Sequence, residues 1–400
     1  MAKLLWGKVF YKDHFAGYLR EEPGDRTSFA YDESYLNQNL PAIAHTLPLQ
    51  IEPFFEHGLI HYFDNLVAEG WLEEAQIRLL GKRQITRFSL LLAFGFDCAG
   101  AVWVADPDPA PLSTYLDTKD PKEIAVMTGR ASLSGIQPKL ALIQREAKFF
   151  PVKQGELSTH IAKFPSQKHD DLVINEYLST LAYKALLPEE DVVDLHIGHV
   201  EGFKEPILII KRFDRKKGHR VHFEEFNQLL GLPSLAKYNA QYKDMAVFLR
   251  QTPHCIAAEV YRLFLRIMAG LLLGNTDMHL KNFAMFHTPQ GLRLTPAYDT
   301  VNAALYKYNS LALSIGGARD IPIGNLKPSN LIKLGQEFGL SINSIKMAYE
   351  QLSKNKEAAI EAIYNAPFGS KIFKEQQIKW MKKRWNGTFD LIGTTLSSRR

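Results

Sequence analysis

An acid, an imidazole, an ammonium group and a carboxamide fall within the six residues Asp277-Met278-His279-Leu280-Lys281-Asn282 of this 400-residue chain. Asp277 and Asn282 lie five residues apart, a separation that suits phosphoryl transfer, in which an Asp orients the attacking hydroxyl and an Asn holds a magnesium ion. That chemistry needs one more carboxylate. Asp299 supplies it, after Leu292-Arg293-Leu294-Thr295-Pro296, which reads as a short strand and stop, and Ala297-Tyr298. Two oxygen donors, Asn282 and Asp299, suit a hard octahedral cation whose other ligands are water and phosphate. Loops with one Asp and one Asn also commonly cap helices or form turns. Asp299 and an upstream lysine decide between the two.

The element that must position the loop is a helix from Ile256 to Leu273, predicted by the helical spacing of Ile256, Val260, Leu263, Phe264, Ile267, Met268, Leu271 and Leu272. A polar loop therefore leaves a rigid, buried scaffold. Upstream, Thr159 to Pro165 predicts a short strand that carries Lys163 and is stopped by Pro165. In a nucleotide site, that ammonium binds the α and β phosphates as a point charge. Glu176, in the first turn of a predicted Leu172–Leu186 helix, could hold the lysine or simply complement the helix dipole. Ser134, Gly135, Ile136, Gln137, Pro138 and Lys139 lie in a small-residue turn that either presents backbone amides to phosphate or only closes a hairpin. Asp191–Val200 and Pro206–Ile210 read as strands, the second running into Lys211-Arg212-Phe213-Asp214-Arg215. Such a stretch either forms a hinge, with backbone for adenine and Asp214 for ribose hydroxyls, or only makes a strand end soluble.

Length predicts two or three domains, and 46% hydrophobic residues suffice for their cores. Lys+Arg 48 against Asp+Glu 43 gives a net charge of +5, compatible with anionic ligands but too mild for an independent nucleic-acid binder. Two cysteines, Cys98 and Cys255, exclude a disulfide framework and a zinc site of ordinary spacing and point to a reducing cytoplasm. No apolar run approaches the length of a membrane helix, so a soluble, unexported protein is expected.

Leu4–Tyr11, Phe15–Leu19 and Thr27–Tyr31 predict a small antiparallel sheet, covered by helices over Leu59–Leu80 and Phe88–Phe94. Ala101–Val104 returns as a strand before the proline-rich Asp106–Pro111, where a first boundary falls. Leu311–Gly317 predicts a hairpin, and helical periodicity fills most of Asn330 to Trp385. Basic residues between Lys371 and Arg400, interleaved with Trp380 and Trp385, make either a phosphate-tracking surface or a solvated helix face over two core tryptophans.

Ser132–Lys139, His160–Pro165, Asn175-Glu176-Tyr177, Arg212–Arg215, Asn275–Asn282 and Thr295–Asp299, taken in this order, resemble the HipA-like serine/threonine kinases, toxin components of bacterial toxin-antitoxin modules. The amino-terminal Tyr62–Gly70 and Gly95–Ala101 resemble that family's small N-subdomain. The resemblance implies an α+β, two-lobed protein-kinase-like fold: an N-subdomain over 1–111, a kinase N-lobe over 112–213 and a helical C-lobe over 214–400. It implies Asp277 as catalytic residue, Asn282 and Asp299 as magnesium ligands, and Lys163 on ATP phosphate. His279, Leu280, Lys281 and Tyr298 would line the nucleotide site, Lys211 to Asp214 the hinge and Ser134 to Lys139 the ATP loop, with Ser132 an autophosphorylated serine. The implied partners are a HipB-like helix-turn-helix antitoxin, DNA through that antitoxin, and a protein substrate such as an aminoacyl-tRNA synthetase. Two departures are visible: Lys211 stands where a well-known member has glutamate, and the turn reads Gly95-Phe96-Asp97 rather than Gly-Arg-Asp. A nucleotide-binding corepressor scaffold and a kinase for lipids or other small molecules are the alternatives.

Overall fold

The computed structural model describes residues 4–80, 85–109, 120–129, 131–133, 137–165, 168–169, 171–253 and 255–397. Among them, no helix is long and apolar enough to cross a membrane. The chain forms two compact units, each discontinuous: Met1–Ser166 with Leu195–Leu235, and Gln167–Asp194 with Ala236–Arg400. The expected mixture of helix and sheet is present.

In the first unit, β1 (Trp6–Tyr11), β2 (His14–Glu22), β3 (Arg26–Tyr31), β4 (Phe54–His57) and β5 (Val102–Ala105) form an antiparallel sheet in the order β4-β3-β2-β1-β5. Alternation drives it, with Val9 and Tyr11 of β1 turned inward between outward-facing neighbours. The stretch expected to be one helix over Leu59–Leu80 is instead a turn at His61–Asp64 and a helix at Gly70–Leu80. Asn65 caps the first piece and donates its side-chain amide to His61 O and Leu232 O, which ties the chain down before a second turn can form.

A second sheet, β7-β6-β8-β10-β9, is built from β6 (Lys139–Arg145), β7 (Lys148–Pro151), β8 (His160–Lys163), β9 (Leu195–Gly198) and β10 (Ile207–Lys211). Ile207, Leu208 and Ile209 are wholly buried, and the two sheets share one apolar core. The second sheet is therefore completed by strands that follow the Leu172–Leu186 helix in sequence, although that helix belongs to the other unit.

The second unit is mainly helical around Ala257–Leu273, whose Leu263, Phe264, Ile267, Met268, Leu271 and Leu272 have no exposed surface. The periodicity expected from Asn330 to Trp385 resolves into helices at Pro328–Glu337, Ile342–Tyr364 and Lys371–Arg384, the last two started by the serine caps Ser341 and Ser370. The hairpin expected around Leu311–Gly317 is present as isolated antiparallel bridges, Ile315 with Ala318 and Ser310 with Pro322, about a tight turn at Gly316-Gly317, while Ser314 O accepts from Tyr242 N. In the basic carboxyl-terminal region Lys382 and Lys383 are exposed, but Arg384 and Trp385 are buried and Trp385 stacks on Tyr349. Arg399 and Arg400 lie outside the described residues.

Within the first unit, the turn that precedes β5 is fastened to the segment after β10 by buried charge. Arg212 donates to both Asp214 oxygens at 2.8 and 2.6 Å and to Ser158 Oγ at 2.8 Å. Arg215 donates to Asp97 Oδ1 at 2.7 Å and to Asp214 Oδ2 at 2.8 Å, and both guanidiniums reach Cys98 O. Gly100 N and Ser158 N complete the two carboxylates. Burial alone raises a carboxyl pKa, but here Arg212 and Arg215 outweigh it and hold Asp97 and Asp214 below the ordinary carboxylate range. Both are lowered in the folded protein, so their stabilising contribution is complete above about pH 4 and is lost as pH falls through the depressed folded values. Removing one charge from such a cluster leaves its partners buried and uncompensated, at a cost of about 3–5 kcal/mol. Asp97→Asn should lower the unfolding free energy from urea titration by that amount at pH 7, and its gap from wild type should narrow below about pH 4, as followed by tryptophan fluorescence. A gap that does not change with pH would rule out the ionic origin.

Candidate active site

The loop that carries Asp277 begins where the Ala257–Leu273 helix is stopped. Gly274 adopts a left-handed φ of 87°, and its N–H bonds back to the last turn. An added Cβ there would collide with Asn302 Oδ1 and Trp380 Nε1, so only glycine fits. Asn275 follows, buried, and its side chain spans the site: Oδ1 accepts from Asp277 N at 3.1 Å while Nδ2 donates to Asp299 O at 3.4 Å. Thr276 Oγ1 donates to Tyr308 O at 2.6 Å, and Ala312 N donates to Thr276 O at 2.8 Å. The loop is thus held on both sides before it reaches Asp277.

Asp277 is exposed, whereas Met278, His279, Leu280 and Lys281 beyond it are buried. Its Oδ1 accepts from Tyr238 Oη at 3.0 Å. Protein crowding around the carboxyl, on a residue that still reaches solvent, pushes its pKa up to about 6; the Tyr238 hydrogen bond and Lys237 pull it down, and the Asp299 carboxylate pushes it further up. A short 3-10 turn, Leu280–Asn282, then brings the chain back. Asn282 Nδ2 donates to Asp277 O at 2.7 Å, so Oδ1 is the atom of that amide that can ligate a cation. His279 Nδ1 accepts from Lys281 N at 3.2 Å, and Leu280 N donates to Lys237 O at 3.2 Å.

Asp299 comes from the opposite direction. The Ala284–Thr288 and Gly291–Leu294 hairpin leads into Thr295, whose carbonyl accepts from the buried Arg266 at 2.7 Å. Ala297 N donates to Asp191 O at 2.8 Å and Ala297 O accepts from Val193 N at 3.0 Å, pinning the strand end. Tyr298 Oη donates to Lys281 O at 2.8 Å, so the two chemical segments are bonded to each other directly. Asp299 itself has φ 58°, a conformation that residues other than glycine rarely adopt and that is common at functional sites. A carboxylate and an amide oxygen held this way fit a hard divalent cation. The side chain of Leu280, expected along the nucleotide site, is wholly buried in the core.

The remaining expected site residues belong to the first unit. Lys163 is buried at the end of β8, and its register partners are Lys139 on β6 and Leu208 on β10. Lys139 is buried too, so two ammonium side chains project from one face of adjacent strands. Gln137 Nε2 donates to Phe164 O at 2.7 Å, and Pro138 O accepts from Phe164 N at 2.9 Å. Ser134, Gly135 and Ile136 lie outside the described residues. Ser132 is buried, its hydroxyl donating to Leu66 O at 2.7 Å. Lys211 is exposed at the end of β10, and Phe213 packs edge-on against Phe223. Asp214 and Arg212 depart from the expected hinge role: their side chains are consumed by the buried ion cluster, so neither faces ribose.

Two family models match in succession, the HipA N-terminal domain over residues 7–105 and the HipA-like C-terminal domain over residues 131–361, which is more than half of the chain. The chain belongs to the HipA-like family. A Sinorhizobium fredii relative with a provisional kinase name, Y4mE, is 25% identical over 386 residues, covering 89% of this chain and 91% of the relative. The serine/threonine-protein kinase toxin HipA of Shewanella oneidensis is 31% identical over 279 residues, covering 61% of this chain and 63% of that protein. The fold is similar to that of HipA from Shewanella oneidensis MR-1, solved with HipB and operator DNA, at a TM-score of 0.77 and 22% identity over 96% of this chain and 99% of the other. These relatives place the HipA-like chain among kinases.

Sequence reasoning missed two residues of this HipA-like site. Tyr238 lies 39 residues before Asp277 and gives no local signal. Asn275 stands inside the motif, and its position two residues before Asp277 could have marked it as an Asx-turn former. Because Asn275 joins the Asp277 and Asp299 backbones, Asn275→Ala should lower kcat for phosphoryl transfer about 100-fold through misplacement. Steady-state kinetics beside a thermal melt would check this, and an unchanged kcat would mark the amide as ordinary packing.

Proposed function

We propose that this chain is an ATP-dependent serine/threonine protein kinase that transfers the γ-phosphate to an intracellular protein and serves as the toxin of a toxin-antitoxin module. The observation that carries the reading is the exposed Asp277, whose backbone is held by Asn275 and Asn282 and whose carboxylate accepts from Tyr238, in a loop that Tyr298 joins through Lys281 O to the segment bearing Asp299. Asp277 orients the acceptor hydroxyl and takes its proton. Asn282 Oδ1 and Asp299 would hold magnesium, which supplies charge neutralisation for the phosphates. Lys163, buried at the end of β8 in register with Lys139, would meet the nucleotide phosphates as a point charge. His279, Lys281 and Tyr298 line the nucleotide, and Lys211 and Phe213 offer it backbone. A HipB-like helix-turn-helix antitoxin would be the partner and would bring the chain to DNA; an aminoacyl-tRNA synthetase is the substrate class that the family resemblance suggests. The structural neighbour's complex with HipB and operator DNA favours a second role, that of nucleotide-binding corepressor.

Asp277→Asn should keep binding ATP with magnesium by calorimetry while radiolabel transfer falls by about 10²–10⁴. Transfer near the wild-type rate would remove Asp277 from the mechanism. Ser132 is the proposed autoregulatory acceptor. Because its hydroxyl is bonded to Leu66 O inside the unit, modification requires the segment to leave, and a phosphate of about −1.5 to −2 charges would prevent its return. Mapping phosphopeptides after incubation with ATP and magnesium should find Ser132 modified. If neither it nor Ser134 is modified while an external protein is, the autoregulatory role is excluded.

A further inference from the structure

Asp277 has two carboxylate oxygens, and protein occupies one. Tyr238 Oη donates to Oδ1 at 3.0 Å, and no protein hydrogen bond to Oδ2 is present among the described residues. Tyr238 is itself well placed to act as a fixed strut. Its ring meets His279 edge-on at 5.1 Å, and the Lys237 ammonium lies 5.6 Å from the ring centroid. The preceding residue is tied to the same loop, since Lys237 O accepts from Leu280 N at 3.2 Å. The aromatic ring is therefore clamped against the loop it serves, while 42% of the residue stays exposed.

We infer that Tyr238 is a positioning residue for phosphoryl transfer: by holding Oδ1 it fixes the Asp277 carboxylate plane and leaves Oδ2 as the oxygen that receives the acceptor's proton. This rests on the reading of Asp277 as the group that orients the acceptor. In the step it serves, the acceptor oxygen bonds to the γ-phosphorus of a nucleoside triphosphate, and the acceptor proton passes to Oδ2. The bond from phosphorus to the β-phosphate oxygen breaks, with its electron pair leaving on the nucleoside diphosphate. A free carboxylate rotates about its Cβ–Cγ bond, and its two oxygens would share the acceptor in several geometries. One fixed donor on Oδ1 removes that freedom before the substrate arrives, which is the entropic part of positioning. The phenol has the required reach and rigidity: two side-chain torsions, a planar ring braced on His279, and a hydroxyl that donates.

The hydroxyl and the ring can be tested separately. Tyr238→Phe keeps the edge-on packing against His279 and deletes only the donor; Tyr238→Leu deletes both. Transfer from ATP to a serine-containing acceptor protein should show kcat reduced about 10-fold in each variant, with the KM for acceptor and the affinity for ATP with magnesium unchanged. A wild-type Phe variant beside an impaired Leu variant would mean that the ring only packs, and would overturn the inference. So would a Phe variant with a raised kcat or a lowered acceptor KM, because the phenol would then be competing for the acceptor's place. Asp277→Asn in the same assay separates the two levels. If it transfers phosphate normally, the reading of Asp277 falls and this inference with it; if it is inactive while Tyr238→Phe is silent, only the role of Tyr238 is lost.

Discussion

One buried helix, Ala257–Leu273, shapes the candidate site. Its Leu263, Phe264, Ile267, Met268, Leu271 and Leu272 are packed without exposed surface, while Glu259, Arg262 and Arg266 direct their charges to Glu190 and to the Leu294 and Thr295 backbone. The loop with the chemical groups leaves from its end. The left-handed turn at Gly274, with Asn302 and Trp380 closed over it, sets the direction in which the chain leaves. From that point the backbone of Asn275 to Asn282 is specified residue by residue through hydrogen bonds to neighbouring segments, and little is left to side-chain preference.

That arrangement accounts for an exposed acid surrounded by buried neighbours. A proton acceptor needs access to its substrate, yet a mobile surface Asp would orient nothing. Here the backbone is immobilised from Asn275, Thr276 and Asn282, and one carboxylate oxygen is held by Tyr238, so the exposed part is confined to the reactive end. Crowding raises the carboxyl toward neutrality, and the phenol offsets part of that rise. Asp299 contributes from a strained backbone conformation that the pinned strand end and the Tyr298 contact to Lys281 O maintain.

In the first unit the comparable constraint is electrostatic. Asp97 belongs to the segment that matches the N-terminal domain model, and Arg212, Asp214 and Arg215 to the segment that matches the C-terminal one. Two carboxylates and three guanidiniums share one buried interior, the third being Arg220 at 3.9 Å from Asp97, with backbone groups from Cys98, Gly100 and Ser158 filling further valences. Such a cluster contributes little net energy compared with an apolar replacement, but it admits one registration of its segments, because any other leaves a charge unpaired. The Arg-Phe-Asp-Arg sequence thus spends its charged residues on assembly and leaves Lys211 and Phe213 at the end of β10.

Local sequence determined the parts whose cause is local. The Asp277, Asn282 and Asp299 spacing, the buried helix before them, the helix over Leu172–Leu186 and the alternating strands could be read directly, because helix and strand periods and short polar motifs repeat within a few residues. The HipA-like resemblance added order to these motifs, and the family match bore it out. What only the tertiary structure decided depends on partners far apart in the chain. Arg215 and Asp97 are 118 residues apart, so nothing near Asp214 announces that its carboxylate is already taken. Tyr238 meets Asp277 across 39 residues, Leu280 turns into the core, and Arg384 is buried where its neighbours promised a basic surface. β9 and β10 complete a sheet begun before the Leu172–Leu186 helix. Pairings of this kind are selected by which buried polar groups and strand edges must be satisfied once the chain is compact, and that requirement leaves no periodic mark on the residues that meet it.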